Sequence, residues 1–206
     1  MSREKIIEMV GSGESLAEAD LSGLDLSSLD FRGCDLSGAT FTGALLKGAD
    51  FSSCNMEGAF LAEVRAEGAL FRKANMDDVF FQRGFMDGAD FSGATLRDAS
   101  IFMMKGEGAN FDDADMTGAQ VLKCRLDGST FKRAVMTGSS LKGSHITDCS
   151  FIDARLEKCD MRQVRPQGSI FEGASTEGVL FYGKKPWGEA ADGRDWSENL
   201  PVFNDD

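Results

Sequence analysis

Residues 34–53 read CDLSG ATFTG ALLKG ADFSS, four groups of five residues that share one pattern. In each group the first residue is small, the third is large and apolar, and the last is usually glycine. The register continues without a slip from Leu16 to Phe181, and 30 of the 34 central positions hold Leu, Phe, Met, Ile or Val. A period of five fits neither an α-helix nor an ordinary β-strand. It predicts a repeated unit with two inward residues followed by a turn.

Residues that are 20 positions apart resemble one another, which indicates that four groups make one coil. One column holds Phe in all eight of its positions, and we call it the Phe ladder: Phe31, Phe51, Phe71, Phe91, Phe111, Phe131, Phe151 and Phe171. In another column a small central residue follows an enlarged one two positions earlier, as in Met104 and Gly106. A close-packed interior penalises both voids and overpacking. This exchange is therefore expected to conserve the volume inside the coil.

The composition excludes several classes of protein. The 206 residues include 34 acids and 22 bases, for a net charge of −12, which disfavours binding to nucleic acid through a basic surface. The 24 glycines come with only 3 prolines, unlike collagen. Five cysteines without a CxxC pair predict reduced thiols, and no apolar run is long enough to span a membrane. We expect a cytoplasmic protein, although secretion without a cleaved signal would leave the same pattern.

Several groups resemble the Ala-(Asp/Asn)-Leu-X-X signature of pentapeptide repeat proteins, among them Ala19-Asp20-Leu21-Ser22-Gly23 and Ala89-Asp90-Phe91-Ser92-Gly93. The resemblance covers residues 15–183 and implies an all-β fold, a right-handed quadrilateral parallel β-helix of about 8.5 coils. Residues 1–14 are expected to form an N-terminal helical cap. Residues 184–206, which we call the tail, carry Trp187 and Trp196 and are expected either to cover the last coil or to dock a partner.

The sequence offers no set of residues suited to catalysis. His145 is the only histidine, and it has no second histidine with which to form a metal site. Cys149 falls at an inward position, where a thiol is expected to be buried and inert. We therefore predict that the protein is not an enzyme and has no catalytic, cofactor-binding or metal-binding residues and no cofactor.

The four sides of the expected rod differ in charge. The side centred on Leu16, Leu36 and Met56, which we call the acidic side, carries nine acids and three bases. Some pentapeptide repeat proteins resemble duplex DNA in shape and charge, bind the topoisomerase gyrase and confer fluoroquinolone resistance. This resemblance implies DNA mimicry as an alternative function, although duplex DNA would carry roughly 24 charges over a rod of about 40 Å. The candidate residues are Asp35, Glu57, Asp77, Asp78, Asp98 and Asp115.

The side opposite the Phe ladder has the least net charge and projects large apolar residues over successive coils. We call these residues the apolar stripe: Phe60, Phe80, Phe85, Phe102, Met103 and Leu122. A contiguous group of Phe, Met and Leu on a surface is typical of an interface. We therefore predict a non-enzymatic, rod-shaped scaffold that docks a protein partner of unknown identity, a homodimer being one possibility, and that contacts neither nucleic acid nor a membrane directly.

Other interpretations of the surface stay open. The tail could cover the apolar stripe, or the cluster could have no role. The N-terminal stretch from Gly13 to Leu36 also looks like pentapeptide proteins found with bacterial type VI secretion systems, which implies an adaptor or accessory protein as a further alternative.

Overall fold

The computed structural model describes residues 1–188 and contains one α-helix and one parallel sheet. Helix α1 spans Arg3–Ser12. The four strands have three residues each, and they follow one another at intervals of 20 residues: β1 at Phe60–Ala62, β2 at Phe80–Gln82, β3 at Ser100–Phe102 and β4 at Gln120–Leu122. Their order in the sheet is their order in the chain. The rest of the repeat region pairs through single parallel bridges.

Each coil takes 20 residues, as the columns in the sequence predict. The Phe31 N–H donates to the Asp50 carbonyl at 2.7 Å, and the Asp50 N–H donates to the Leu29 carbonyl at 2.9 Å. The same pattern recurs on all four sides, so that the chain forms a right-handed quadrilateral β-helix. The backbone groups of one coil are thus satisfied by the next coil, and only the two ends of the rod need cover.

Every corner of the coil places one residue in the left-handed region. In the first unit the Ala19 N–H donates to the Leu16 carbonyl at 3.1 Å, and Glu18 has a φ of 60°. A bond between the first and fourth residues with a positive φ at the third describes a type II turn, which favours glycine there. Gly68, for example, has a φ of 66°. The glycine excess is thus a consequence of the corners.

The interior is filled by the central and small residues of the repeat. The rings of the Phe ladder stack face to face through the whole rod, with Phe31 and Phe51 4.8 Å apart and 5° from parallel. The predicted volume exchange is present as well. A Cβ added to Gly106 would lie 3.1 Å from Cε of Met104, whose side chain is buried and fills that corner.

The two ends of the repeat have different covers. At the N-terminal end, α1 starts with the Ser2 hydroxyl accepting from the Lys5 N–H and ends at Gly13, whose φ is 73°. This helix buries Ile6 completely against the first coil. At the other end, Trp187 makes edge contacts with Phe171 and Phe181, both at 5.4 Å between ring centroids. Trp196, the second tryptophan of the tail, lies outside the described residues.

Candidate protein-binding surface

The apolar stripe lies on the side of the rod that contains the three-residue strands β1 to β4. Strands β1 to β4 are adjacent in the sheet, with Phe60 aligned to Phe80, Phe80 to Ser100, and Ser100 to Gln120. The central residue of each strand points into the core and is buried. The flanking residues of each strand therefore form two outward columns that run along the rod.

The outward columns carry the bulky side chains of the stripe on a diagonal. Phe60 and Phe80 occupy the first column on β1 and β2, and their rings stack at 4.7 Å. Phe102 and Leu122 occupy the second column on β3 and β4. Phe60 is 38% exposed, whereas Phe80, Phe102 and Leu122 are half-buried. The sheet thus presents a continuous apolar band across four coils.

The stripe is bordered by cations that the sequence analysis did not single out. Phe85, on the next side of the rod, is 37% exposed and lies between the Arg65 guanidinium at 5.7 Å and the Lys105 ammonium at 5.1 Å from the ring centroid. The Lys123 ammonium lies 5.8 Å from the Phe102 ring centroid. Such contacts keep cations at the border of an aromatic surface. The 20-residue spacing of Arg65, Phe85 and Lys105 was the signal that could have revealed this arrangement.

The corner beside the stripe carries both charges. It is formed by the residue of positive φ in the turn that follows each strand. These residues are Glu63, Arg83, Met103 and Lys123. Glu63 and Arg83 form an exposed ion pair at 3.8 Å, and Met103 is 47% exposed. An exposed ion pair of this kind adds little to stability, so both side chains can exchange partners at low cost.

Carboxylates of the acidic side are held by hydrogen bonds within the side itself. Asp35 accepts from the Ser37 and Ser15 hydroxyls at 2.8 and 3.1 Å and from the Asn55 amide at 3.2 Å. The hydrogen bond from the Ser37 hydroxyl is the main cause that lowers the pKa of the Asp35 carboxyl. This row of hydrogen bonds continues on the next coil, where the Asn75 amide donates to the Asn55 side-chain oxygen at 3.1 Å. The column is thus a hydrogen-bonded chain in which Asp35 stays ionised.

The charge of the acidic side is interrupted near its middle. The Arg97 guanidinium lies 2.8 Å from the Asp115 carboxylate and 3.9 Å from that of Asp77. Glu57, Asp78 and Asp98, the other candidates of this side, lie at or beside its corners. A surface depression of about 520 Å³ lies between Glu18 and Asp78, because Gly38 and Gly58 carry no side chains at the intervening corners.

The described part of the tail closes the last coil with a tryptophan. Trp187 is half-buried, and its enclosed Nε1 has no hydrogen-bond partner among residues 1–188. Ile170, Leu180 and Tyr182 remain exposed at this end of the rod, by 50%, 51% and 43%. The described residues therefore cover the end of the Phe ladder and leave apolar side chains around it.

The cysteines are placed as inward residues of the repeat. Burial raises the pKa of the Cys124 and Cys149 thiols to about 12, and the Cys149 thiol donates to the Leu126 carbonyl at 3.0 Å. Within residues 1–188, no three side chains of His, Cys, Asp or Glu come together in a way that could hold a metal ion. In the same range, no helix has the length and apolar character needed to cross a lipid bilayer.

Comparison with solved structures finds the same architecture. A trypsin-treated variant of QnrB1, a plasmid-mediated fluoroquinolone resistance protein, is 23% identical with a TM-score of 0.51, over 81% of this chain and 85% of that one. HetL, a pentapeptide repeat protein involved in heterocyst differentiation regulation from the cyanobacterium Nostoc sp., is 19% identical with a TM-score of 0.41, over 88% of this chain and 97% of that one. The likeness to QnrB1 concerns the fold. Among curated proteins, no match to this chain was found.

The family model for pentapeptide repeats matches more than half of the chain. It finds 8 copies, at residues 15–52, 44–86, 107–133 and 124–163. Within these ranges a buried central residue recurs every five positions. The unmatched residues 87–106 contain the Met104–Gly106 exchange, which departs from the family pattern while the coil continues. The chain therefore belongs to the pentapeptide repeat family.

Proposed function

We propose that this protein is a non-enzymatic scaffold that binds a protein partner through the apolar stripe on strands β1 to β4. The observation that carries the proposal is the outward stack of Phe60, which is exposed, and Phe80, which is half-buried; the band continues as Phe102 and Leu122 on the next two coils. Aromatic residues and Met are enriched where proteins meet, and charged residues are depleted at the centre of such surfaces.

The fold itself does not require these side chains. In the first column of the same side, other coils carry Asp20, Thr40, Ser140 and Asp160, and their backbones pair in the same way. Polar residues therefore satisfy the structure at this position. A large apolar residue that is exposed and not needed by the fold supports a binding role.

The border of the stripe indicates the chemistry of the partner. Arg65 and Lys105 flank Phe85, and Lys123 lies over Phe102. Lys123 lies at the corner of the stripe, and a partner that places an acid opposite this cation is favoured, because complementary charges at the rim direct association.

The proposal can be tested with a photoreactive side chain at Gln82, between the two diagonal pairs of the stripe. The control is the same group at Ser92, which occupies the equivalent turn position on the opposite side of the coil. In cells that produce the protein, we expect protein crosslinks from position 82 and not from position 92. The crosslinks should disappear when Phe80→Asp and Phe102→Asp are introduced together. Equal crosslinking from both positions, or crosslinks that survive the double substitution, would contradict the proposal.

DNA mimicry by the acidic side is the second candidate. Lowered pKa values at Asp35 and Asp115 favour a charged surface at neutral pH; at Asp115, burial opposes this effect and the hydrogen bonds from Thr117 and Arg97 outweigh it. Arg97 interrupts that charge between Asp77 and Asp115, which makes this candidate weaker than the stripe. Purified protein at micromolar concentration should inhibit DNA supercoiling by gyrase if the acidic side mimics DNA. An unchanged supercoiling rate would reject this candidate.

A further inference from the structure

We infer that the apolar stripe is a homodimer interface, in which a second copy of this chain packs against it in the antiparallel direction. The inference rests on the proposed function, because it names the partner of the same surface. It follows from the order of side chains along the two outward columns of the sheet and along the adjacent corner. Each of these series becomes complementary to itself when it is reversed.

The first column reads Phe60, Phe80, Ser100 and Gln120 along the four strands, and the second column reads Ala62, Gln82, Phe102 and Leu122. A twofold axis perpendicular to the rod, between β2 and β3, places β1 opposite β4 of the second copy and β2 opposite β3.

In this arrangement every bulky residue meets a smaller or polar one. Phe80 faces Ser100 of the second copy, and Leu122 faces Ala62. The two columns are about 7 Å apart, two residues along a strand. Phe80 of one copy therefore lies beside Phe102 of the other, and the eight large side chains interdigitate in one apolar layer.

The corner residues carry the strongest directional signal. They read Glu63, Arg83, Met103 and Lys123 along the four coils. On reversal, Glu63 faces Lys123 of the second copy, and the twofold axis generates this pair twice. Glu63 and Lys123 are both exposed on the free rod, so both are available to a second copy.

The parallel arrangement lacks this complementarity. A twofold axis along the rod would place each coil against the same coil of the second copy with its edges exchanged. An axis through the middle of the strands would set Phe102 against Ser100 of the second copy, so the sizes of the side chains permit both arrangements and the corner charges decide between them. Glu63 and Lys123 would lie on different coils and could not meet.

The remaining surface of this side permits the contact over most of its length. Beyond the stripe, Thr40 faces Ser140 of the second copy. At the ends Asp20 faces Asp160, whose charge is offset by Arg162 at 2.6 Å. On the far edge Asp77 faces Arg97 and Asp78 faces Asp98, one attractive and one repulsive contact.

The available area is sufficient for a stable dimer. Eight overlapping coils give a contact about 40 Å long and about 16 Å wide, or roughly 650 Å² per copy. Specific protein interfaces bury roughly 600 to 1,000 Å² per partner, so the side of the rod is large enough.

Charge exchange at the corner tests both the dimer and its direction. The full-length variants Glu63→Lys and Lys123→Glu should each weaken dimerisation about tenfold or more, measured by sedimentation equilibrium, because each creates two like-charge contacts. Mixing the two variants should restore a dimer, seen in native mass spectra as a heterodimer, since every pair is again opposite in sign. The variant that carries both substitutions should form homodimers again.

The control is Lys73→Glu, at the diagonally opposite corner of the rod. Lys73 has a φ of 55° and Lys123 a φ of 53°, so the backbone demands are matched. This variant should dimerise like the parent protein, and thermal unfolding by circular dichroism should show that all variants fold. A parent protein that is monomeric at 100 µM (about a hundred times a micromolar Kd), or a dimer that Glu63→Lys leaves unchanged, would overturn the inference.

The outcomes separate this inference from the proposed function. A monomeric protein whose position 82 still crosslinks to a different protein rejects the dimer and retains the docking surface. A dimer whose crosslinks from position 82 join two copies of the chain supports both. A monomer that gives no specific crosslink from position 82 rejects both.

Discussion

At the scale of the residue, the repeat is a constraint on volume and not on residue identity. The column that holds Met104 and Gly106 shows the small and large positions exchanged, yet Met104 is as buried as a central residue. Gly84 provides a comparison in the same column, since a Cβ there would lie 3.1 Å from Cγ2 of Val64. Side chains of neighbouring coils thus determine together how large each one can be.

The exchange leads to a prediction about stability. Met104→Ala should lower the free energy of unfolding by about 2–5 kcal/mol, because it empties a corner that no other side chain fills. Adding Gly106→Leu should recover most of this loss by restoring the usual order of small and large residues. Urea denaturation followed by circular dichroism measures both values. If Gly106→Leu alone proves as stable as the parent, the volume argument is wrong, since the added Leu would have to clash with Met104.

At the scale of the element, helix α1 covers the N-terminal end of the repeat. Without this helix the first coil would expose its apolar interior. One face of the helix is used for this purpose. Ile6 is completely buried, whereas its neighbour Ile7 is 48% exposed. Arg3 adds polar contacts, since its guanidinium donates to the carbonyls of Asp25 and Ser27. The helix thus covers the apolar end of the first coil and ties itself to the outside of that coil.

We expect Ile6→Asp to reduce the free energy of unfolding by about 3–5 kcal/mol, because it combines a cavity with an unpaired buried carboxylate. Ile7→Asp is the matched control on the same helix and should change it by about 0.5 kcal/mol or less. Urea unfolding gives both numbers, and light scattering reports association through an uncovered coil. Equal stability of the two variants would show that the helix does not support the first coil.

At the scale of the whole molecule, the rod has a uniform interior and four different exteriors. The Phe ladder stacks without interruption from Phe31 to Phe171, so that the interior does not distinguish one coil from the next. The exterior does distinguish them: the apolar stripe covers four coils, and Arg97 divides the acidic side. In a rod of this kind, stability comes from the interior and specificity from the surface.

The buried thiols report on the opening of the rod as a whole. Burial raises the pKa of the Cys54 thiol to about 12 from an ordinary value of 9.0, which lowers its thiolate fraction about a thousandfold. At pH 8 we expect iodoacetamide to modify only the half-buried Cys34 in the folded protein and all five cysteines in urea. Peptide mass spectrometry identifies the modified residues. Rapid modification of Cys54, Cys124 or Cys149 without denaturant would show that the coils open locally.

Most of the fold could be predicted from the sequence, and the candidate surface only in outline. The period of five identified the central inward residues, and every one of them from Leu16 to Met161 is buried. The stripe was predicted as a set of outward residues, but half of its members are partly shielded by neighbouring coils, as Phe80 and Phe102 are. Shielding depends on the rotamers of adjacent side chains, which a repeat pattern does not contain.

The amino-acid sequence by itself determined the coil, because a short period repeated without a slip leaves one arrangement in which every large residue is inward. It also determined which residues share a side. Only the tertiary structure decided that Phe85 lies between Arg65 and Lys105, that Asp35 and Asn55 join a hydrogen-bonded column, and that Trp187 closes the last coil. The contacts of Phe85 with Arg65 and Lys105 and of Asp35 with Asn55 each join residues 20 positions apart in the chain, and Trp187 contacts Phe171 as well as the nearer Phe181. Such contacts depend on side-chain directions and on the point at which the repeat stops, which the period of five does not contain.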